Sequence, residues 1–302
     1  MKLIHPKRVL RQLRTWIKNV YWYYIVPDSC YLKHRFKQVF GKKLDLNNPQ
    51  TFNEKIQWLK LHDRNPLYHQ LVDKIAVKEW VAAKIGEEYV VPTLMVWNRV
   101  KDVDFSVLPD QFVIKCNHDA ASWSICLNKN DFDQDQAIRK LSNAMKQDYY
   151  HFLNKQWVYK GIKRRILAEP LLKDNESVPV GLTDYKFFCF DGKADCVMIA
   201  IDREKKATKF YFFDREWKLL KYNYRGLAAP EGFSIPKPDK IEEMFTIAER
   251  LSEGFCFVRV DLYLSCGRIY FGEMTFNPDG GMDPNLLPEV DLLFGNKMNL
   301  GI

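Results

Sequence analysis

Two apolar runs near the C-terminus, residues 255–264 and 268–276, most constrain what this chain can fold into. Both are typical of β-strands, and so few residues separate them that the sequence predicts a β-hairpin. Successive strand residues point to opposite faces of a sheet, so Arg259 and Asp261 share one face. Glu273 lies on the second strand, and the pairing register decides whether it meets Asp261.

The hairpin loop sets that register. A two-residue loop at Cys266–Gly267 pairs Asp261 with Gly272, whereas a three-residue loop pairs it with Glu273. We predict the second register, or another that keeps both carboxylates on one face. Adjacent like charges need a positive charge between them, and Mg²⁺ accepts carboxylates together with substrate phosphates. Two other interpretations stay open: two acids that face solvent, or Asp261 paired with Arg259.

The sequence changes character at about residue 95. Thr51 and Glu54 have the spacing of a helix capping box, and a longer helix is predicted from Pro66 to Gly86. The buried stripe of this helix would be Leu67, Leu71, Ile75 and Val81. Short β-type runs follow, with a hairpin signal at Asp191–Gly192. Helices followed by mostly antiparallel strands with intervening helices predict an α+β fold.

Composition excludes several classes of protein. The 302 residues are 47% apolar and 28% charged, as in ordinary globular proteins, and no apolar run is long enough to span a bilayer. The seven cysteines form no C-x-x-C pair, and the six histidines lack zinc-ligand spacing. The start of the chain is too basic for a signal peptide. We therefore expect a cytoplasmic protein without disulfides or zinc.

The net charge of +8 is concentrated at the start of the chain. Residues 7–18 place Leu10, Leu13, Trp16 and Ile17 at helical spacing among five basic residues. Such a helix can lie on an anionic membrane surface as a peripheral contact. The alternative is a terminal helix packed on the domain with a solvated basic face. No motif supports nucleic-acid binding.

Two lysines lie in apolar strands, Lys115 and Lys186. A lysine there either reaches solvent along its aliphatic stem or meets an anion. Together with the Asp261–Glu273 hairpin, the two lysines have the charge pattern of a site for ATP and Mg²⁺.

Five blocks of sequence, taken in order, resemble the TupA-like group of the ATP-grasp superfamily, found among bacterial surface-polysaccharide genes. The resemblance extends from about residue 30 to residue 295. The blocks are Thr51–Trp58, Asp73–Lys74, Phe112–Lys115, Asp184–Phe188 and Phe271–Phe276. The resemblance implies an ATP-grasp fold, in which two α+β subdomains clasp ATP. The corresponding division is a helical region (1–95), a small lid subdomain (96–172) and a large subdomain with the metal site (173–302).

The resemblance also implies roles for individual residues. Lys115 would contact the ATP phosphates, with Lys186 assisting, and Asp184 would meet the ribose. Glu169 would begin the hinge, whose next residues, including Leu171 and Leu172, contact adenine. Mg²⁺ would be held by Asp261, Glu273 and Asn277, and Arg259 would stabilise the acyl phosphate and the tetrahedral state that follows it.

Two features depart from the superfamily pattern. Thr275 stands two residues after Glu273, where many members have Asn, so either Thr275 or Asn277 completes the metal shell. The phosphate-covering loop, residues 117–124, contains no glycine, which limits how closely its amides approach phosphate. His118 or Ser122 would compensate, or turnover would be impaired. An isolated loop histidine such as His118 is more often solvated.

The implied activity is ATP-dependent ligation of a carboxylate to an amine, here an amino acid or amine with an acidic sugar of a surface polysaccharide. Gly280 and Gly281 follow the metal strand in a loop whose amides would bind substrate, unless the loop is an ordinary turn. One rival is a glycosyltransferase with a metal-binding Asp-x-Asp motif at Asp102–Asp104 or Asp131–Asp133. Others are a small-molecule kinase and an ATP-grasp scaffold without turnover.

Overall fold

A computed structural model describes residues 20–173, 182–201 and 208–301. The predicted basic helix at residues 7–18 lies outside the described residues. Within them, no helix combines the length and apolar character needed to cross a bilayer. The fold is α+β, as predicted, with helices first and then two antiparallel sheets.

Helices make up most of the N-terminal region. They are α1 (Asp28–Phe40), α2 (Phe52–His62), α3 (Leu67–Val72) and α4 (Val77–Ile85), with a short π-helix at Tyr21–Ile25. The predicted capping box is confirmed, because the Thr51 hydroxyl accepts from the Glu54 amide while the Glu54 carboxylate accepts from the Thr51 amide. Helix α2 therefore begins where the sequence predicts.

The prediction of one long helix from Pro66 to Gly86 is wrong, because the chain breaks between α3 and α4. At the break, one carboxylate oxygen of Asp73 accepts from the amides of Ile75 and Ala76, at 2.9 and 3.3 Å. These side-chain bonds replace helical backbone bonds. The other oxygen of Asp73 pairs with Arg165 at 2.9 Å. Ile75, expected in the buried stripe, is only half-buried in this turn.

The first sheet has four strands and forms one wall of the cleft described in the next subsection. In chain order they are β1 (Met95–Trp97), β2 (Phe112–Cys116), β3 (Ser124–Cys126) and β4 (Ile166–Pro170). Their spatial order is β1-β4-β2-β3. Helix α5 (Gln134–Lys146) packs on one face, with Leu141 buried among Phe112 and Ile114. The opposite face carries Val113 and Lys115, which line the cleft described below.

The second sheet has six strands in the spatial order β10-β9-β5-β6-β7-β8. The strands are β5 (Asp184–Phe190), β6 (Lys193–Ile201), β7 (Lys209–Phe213), β8 (Leu219–Leu220), β9 (Phe257–Ser265) and β10 (Arg268–Thr275). The remaining α-helices of the described residues are α6 (Tyr149–Phe152), α7 (Tyr224–Leu227), α8 (Ile241–Ser252) and α9 (Pro288–Asn296). The hairpin turn predicted at Asp191–Gly192 is confirmed, with φ of 50° and 77°.

The two faces of the second sheet bury different partners. Phe187 of β5 packs against Phe245 of α8 on one face. On the other face, Phe188 and Phe190 pack with Phe294 of α9 and with α2. Alternation along β5 and β9 puts the predicted charged residues on this second face, beyond the part that α2 and α9 cover. One face therefore has an aromatic half and a charged half.

Candidate active site

The C-terminal hairpin brings Asp261 opposite Glu273, but by a route the sequence did not predict. The three-residue loop is wrong: Ser265 pairs with Arg268 across a two-residue turn at Cys266–Gly267. A β-bulge then shifts the register between Phe271 and Glu273, so that Asp261 faces Glu273 after all. The prediction that the carboxylates share one face is confirmed.

Gly272 is the extra residue of the bulge. A Cβ atom there would lie 2.9 Å from the Asp261 carbonyl oxygen and 2.8 Å from a ring carbon of Tyr263. Contacts this short require the backbone to move. The bulge, and with it the pairing of the two acids, therefore depends on glycine at this position.

The acids sit among cations in what we call the floor cluster: Asp184, Lys186, Arg259, Asp261 and Glu273. Arg259 holds both oxygens of Asp261 at 2.7 Å and reaches Glu273 at 3.2 Å. Lys186 contacts Asp261 at 2.5 Å and also pairs with Asp184. A bidentate arginine with a lysine beside it offsets the cost of burying a carboxylate.

The two facing acids have different electrostatic environments. Asp261 is fully buried, and burial raises its pKa to about 6 against the opposing charges of Arg259 and Lys186. Burial also opposes ionisation of Glu273, but the charges of Lys74, Arg259 and Lys186 outweigh it and lower its pKa to about 2. The Glu273 side chain keeps 32% of its surface exposed. Glu273 is therefore the acid that presents a stable negative charge to the cleft.

The oxygen atoms of the floor cluster are suitable ligands for a hard cation. The Thr275 hydroxyl donates to Glu273 at 3.0 Å, so a hydroxyl oxygen lies beside those of the two carboxylates. Within the described residues, no group of three or more His, Cys, Asp or Glu side chains is placed to hold a metal alone. Mg²⁺ does not require one, because it is typically held by one or two carboxylates with phosphate oxygens. Asp261 and Glu273 are therefore the residues that would hold it.

A second set of charges, which we call the lid cluster, consists of Lys78, Lys115 and Glu169. Lys78 contacts one oxygen of Glu169 at 2.6 Å, and Lys115 contacts the other at 2.5 Å. Burial opposes ionisation of Glu169, but the charges of Lys115 and Lys78 outweigh it and lower its pKa. Lys115 comes from β2 and Glu169 from β4, whereas Lys78 comes from α4 of the helical region.

Both clusters line one cleft of about 870 Å³, between the two sheets and α4. The structure brings most of the predicted site residues to its wall: Lys115, Glu169, Leu171, Leu172, Asp184, Lys186, Arg259, Asp261 and Glu273. The volume lies within the usual range for small-molecule sites. An apolar strip of Val113, Ile125 and Leu172 also lines it, which suits a flat ring.

Lys74 and Lys78 also line the cleft, although the sequence patterns predicted no role for them. Lys74 donates to the Asp119 carbonyl at 2.6 Å and lies 3.8 Å from Glu273. Lys78 belongs to the lid cluster. Their four-residue spacing would place both on one side of a continuous helix, but Lys74 lies in the break before α4. The break at Asp73 determines the direction in which the side chains of Lys74 and Lys78 project.

The loop at residues 117–124 is held by its own side chains. Ser122 donates to Asp119 at 2.6 Å and accepts from the Cys116 amide at 2.8 Å. The expectation that His118 is solvated is wrong: it is buried, burial lowers its pKa, and its Nε2 lies 3.2 Å from the Ala144 carbonyl oxygen. Neither side chain lines the cleft. Their contacts fix the loop.

Three predicted residues lie away from the cleft wall. Asn277 donates to the Phe276 carbonyl and borders a separate cavity of about 20 Å³. Gly280 and Gly281 are buried against α2, where Gln57 donates to both of their carbonyls. A Cβ atom on Gly281 would lie 2.4 Å from Ile56. Close packing accounts for glycine at position 281. Of the two candidates to complete the metal shell, Thr275 and Asn277, it is Thr275 that lies beside Glu273.

The two Asp-x-Asp patterns serve local structure. Asp102 pairs with Arg99 at 2.7 Å, and Asp104 accepts from the Ser106 amide. Asp133 caps α5 by accepting from the Gln136 amide at 2.7 Å. None of these acids lines the cleft.

Comparison with known proteins finds several solved structures that are similar to this chain. The D-alanine–D-alanine ligase from Bacillus anthracis, solved in complex with ATP, is 15% identical, with a TM-score of 0.43 over 76% of this chain and 63% of that chain. The Helicobacter pylori ligase of the same name is 12% identical, with a TM-score of 0.45 over 83% and 70%. The ATP-grasp ligase PsnB with its minimal precursor is 12% identical, with a TM-score of 0.38 over 70% and 54%.

This chain thus spans 54% and 63% of the lengths of PsnB and the Bacillus anthracis ligase. No curated protein sequence matches it. Residues 54–299 match the TupA-like ATP-grasp family, which covers both clusters and the cleft between them. The chain therefore belongs to the TupA-like ATP-grasp family.

Proposed function

We propose that the chain is an ATP-dependent carboxylate–amine ligase that works through an acyl phosphate. The observation that supports this most directly is the single cleft lined by both the lid cluster and the floor cluster. Its lysines suit a triphosphate, and its facing acids suit the accompanying cation. We assign the lid to residues 96–172 and the metal-bearing part to residues 173–302, with the helical region 1–95 before them.

In this proposal, the lid side binds the nucleoside. Leu171 and Leu172 lie two and three residues after Glu169 and line the cleft, so they contact adenine while Lys115 reaches the phosphates. Asp184 meets the ribose from the opposite sheet. Glu169 keeps Lys78 and Lys115 in place, because each lysine is bound to one of its oxygens.

The floor side supports phosphoryl transfer. A substrate carboxylate oxygen attacks the terminal phosphorus of ATP, the bond to the bridging oxygen breaks, and ADP leaves. Asp261 and Glu273 would hold Mg²⁺, which would offset charge on the phosphates. Lys186 and Arg259 are fixed by Asp261, so they present positive charge without reorganising.

The second step forms the amide. An amine nitrogen attacks the acyl carbon, the bond from that carbon to the phosphate oxygen breaks, and inorganic phosphate leaves as the nitrogen loses a proton. Arg259 stabilises the negative oxygen of the tetrahedral state. We propose an amino acid or amine as one substrate and an acidic sugar of a capsule or cell-surface polysaccharide as the other, acting on the cytoplasmic side of the membrane.

The experiment is a turnover assay with the purified chain. ATP and Mg²⁺ are supplied with pairs of amino acids and uronic-acid acceptors, and ADP is measured. ADP release that requires both members of a pair supports ligation. Stronger thermal stabilisation by a nucleotide sugar than by ATP would instead support the glycosyltransferase alternative.

One observation favours a second candidate, a scaffold that binds ATP without turnover. The loop over the cleft has no glycine, and its Ala120 amide already donates to the Tyr149 hydroxyl at 2.9 Å. An amide bound in this way is unavailable to phosphate. Binding of ATP with no ADP release for any acceptor pair would support the scaffold.

A further inference from the structure

The net positive charge of this protein comes from its first 43 residues. They contain eleven Lys and Arg residues and one acid, Asp28, and so carry a net charge of +10. The remaining 259 residues carry a net charge of −2. The acid is also occupied, since Asp28 pairs with the buried Lys155 at 3.1 Å. Such asymmetry implies an anionic partner for the N-terminal segment rather than for the whole surface.

The π-helix at Tyr21–Ile25 adds an apolar component beside this charge. Tyr21, Tyr24 and Ile25 expose 51, 64 and 66% of their surfaces. They follow directly on the basic segment 7–18 in the sequence. Large apolar side chains this exposed, at the end of a basic stretch, are the combination used at membrane interfaces, where aromatic rings sit at headgroup level.

The apolar patch is held on the body of the protein. Trp22 stacks on His34 of α1 with ring centroids 4.3 Å apart, and Tyr23 packs beside Tyr31. Lys155 donates to the Tyr23 carbonyl. These inward contacts fix the segment, so Tyr21, Tyr24 and Ile25 project without having to be ordered on binding.

We propose that Tyr21, Tyr24 and Ile25 enter the headgroup region of an anionic lipid surface, to which the basic residues of the N-terminal sequence are attracted. The exposed Lys33 and Lys37 of α1 add charge to the same segment. Each basic residue near such a surface contributes about fivefold in affinity. Tyr21, Tyr24 and Ile25 do not line the cleft, and this docking does not depend on the proposed ligase activity.

The test is sedimentation of the full-length chain with vesicles. We expect binding to vesicles of phosphatidylcholine with about one third phosphatidylglycerol, at least about tenfold weaker binding to phosphatidylcholine alone, and loss of binding as salt rises. Arg8→Gln with Arg11→Gln and Arg14→Gln should lower the affinity by about two orders of magnitude.

A second pair of variants separates insertion from charge. Tyr24→Ser with Ile25→Ser should weaken vesicle binding by about tenfold, from the lost apolar contact. The matched change Leu292→Ser with Leu293→Ser, at exposed positions of α9, should leave binding unchanged. Thermal unfolding checks that all variants fold. If a variant with Tyr24→Ser does not fold, Ile25→Ser alone replaces the double variant in the vesicle assay. Equal binding to neutral vesicles, or no effect of the Tyr24 and Ile25 changes, would overturn the proposal.

Discussion

The lid cluster and the floor cluster meet the same cleft but are built differently. In the lid cluster one acid, Glu169, lies between two lysines, so the set is cationic and every charge has a close partner. The floor cluster contains more acids than bases until Lys74 is included, and its Glu273 is partly exposed. The difference indicates that the lid cluster joins parts of the chain, whereas the floor cluster presents an acid to the cleft.

The largest expected effect breaks the floor cluster. Glu273→Gln removes the exposed carboxylate but keeps its size, and ADP release should fall by about a thousandfold, equivalent to about 4 kcal/mol. Circular dichroism and the melting temperature should be unchanged. Glu289→Gln, at an exposed acid of α9, is the control and should keep full activity. Full activity in Glu273→Gln would refute the metal assignment.

The next change alters geometry and leaves every charge in place. Gly272→Ala puts a methyl group against the Asp261 carbonyl and the Tyr263 ring, so the bulge must move. We expect turnover to fall by about one to two orders of magnitude, since displacements near 1 Å cost about that much. Gly267→Asn is the matched control, because that turn glycine has open space around it and Asn tolerates its φ of 71°. Similar activity in both variants would show that the bulge is dispensable.

Breaking the lid cluster should act on binding and stability. Glu169→Gln leaves Lys78 and Lys115 without a charged partner, so we expect a KM for ATP about tenfold higher and a loss of about 3 kcal/mol in the free energy of unfolding. Activity at saturating ATP should change least. Asp102→Asn, which breaks the exposed pair with Arg99, should leave the melting temperature unchanged. A lower kcat with an unaltered KM would assign the lid cluster to chemistry instead.

The smallest effect is a pH dependence of the same interaction. The pKa of Glu169 is lowered in the fold from its ordinary value of 4.5, so its contribution to stability is present above pH 4.5 and is lost as pH falls through the folded value. The difference in melting temperature between the native chain and Glu169→Gln should therefore shrink as pH falls below 4.5. A difference that is constant from pH 7 to pH 3 would contradict this linkage.

Local sequence patterns predicted the parts of this molecule that local chemistry determines. The capping box at Thr51, the turn at Asp191–Gly192 and the pairing of the last two strands all follow from short-range rules. The shared face of Asp261 and Glu273 was predicted as well, but from a three-residue loop that the hairpin does not have.

Long-range contacts determined what was missed. The break between α3 and α4 places Asp73 against Arg165, which is 92 residues away in the sequence, and so sets where Lys74 and Lys78 point. The bulge at Gly272 depends on the backbone of the neighbouring strand. Burial of His118 depends on α5. No window of neighbouring residues contains this information.

The aromatic and charged halves of the second sheet share the same strands. Phe188, packed under α9, is the direct cross-strand partner of Arg259, and the next pair on the same face is Lys186 with Asp261. Loosening the phenylalanine layer therefore displaces the guanidinium at once. On heating, catalytic inactivation should coincide with global melting in a single transition, and thermostabilising changes beneath α9 should raise the temperature limit of activity by the same number of degrees.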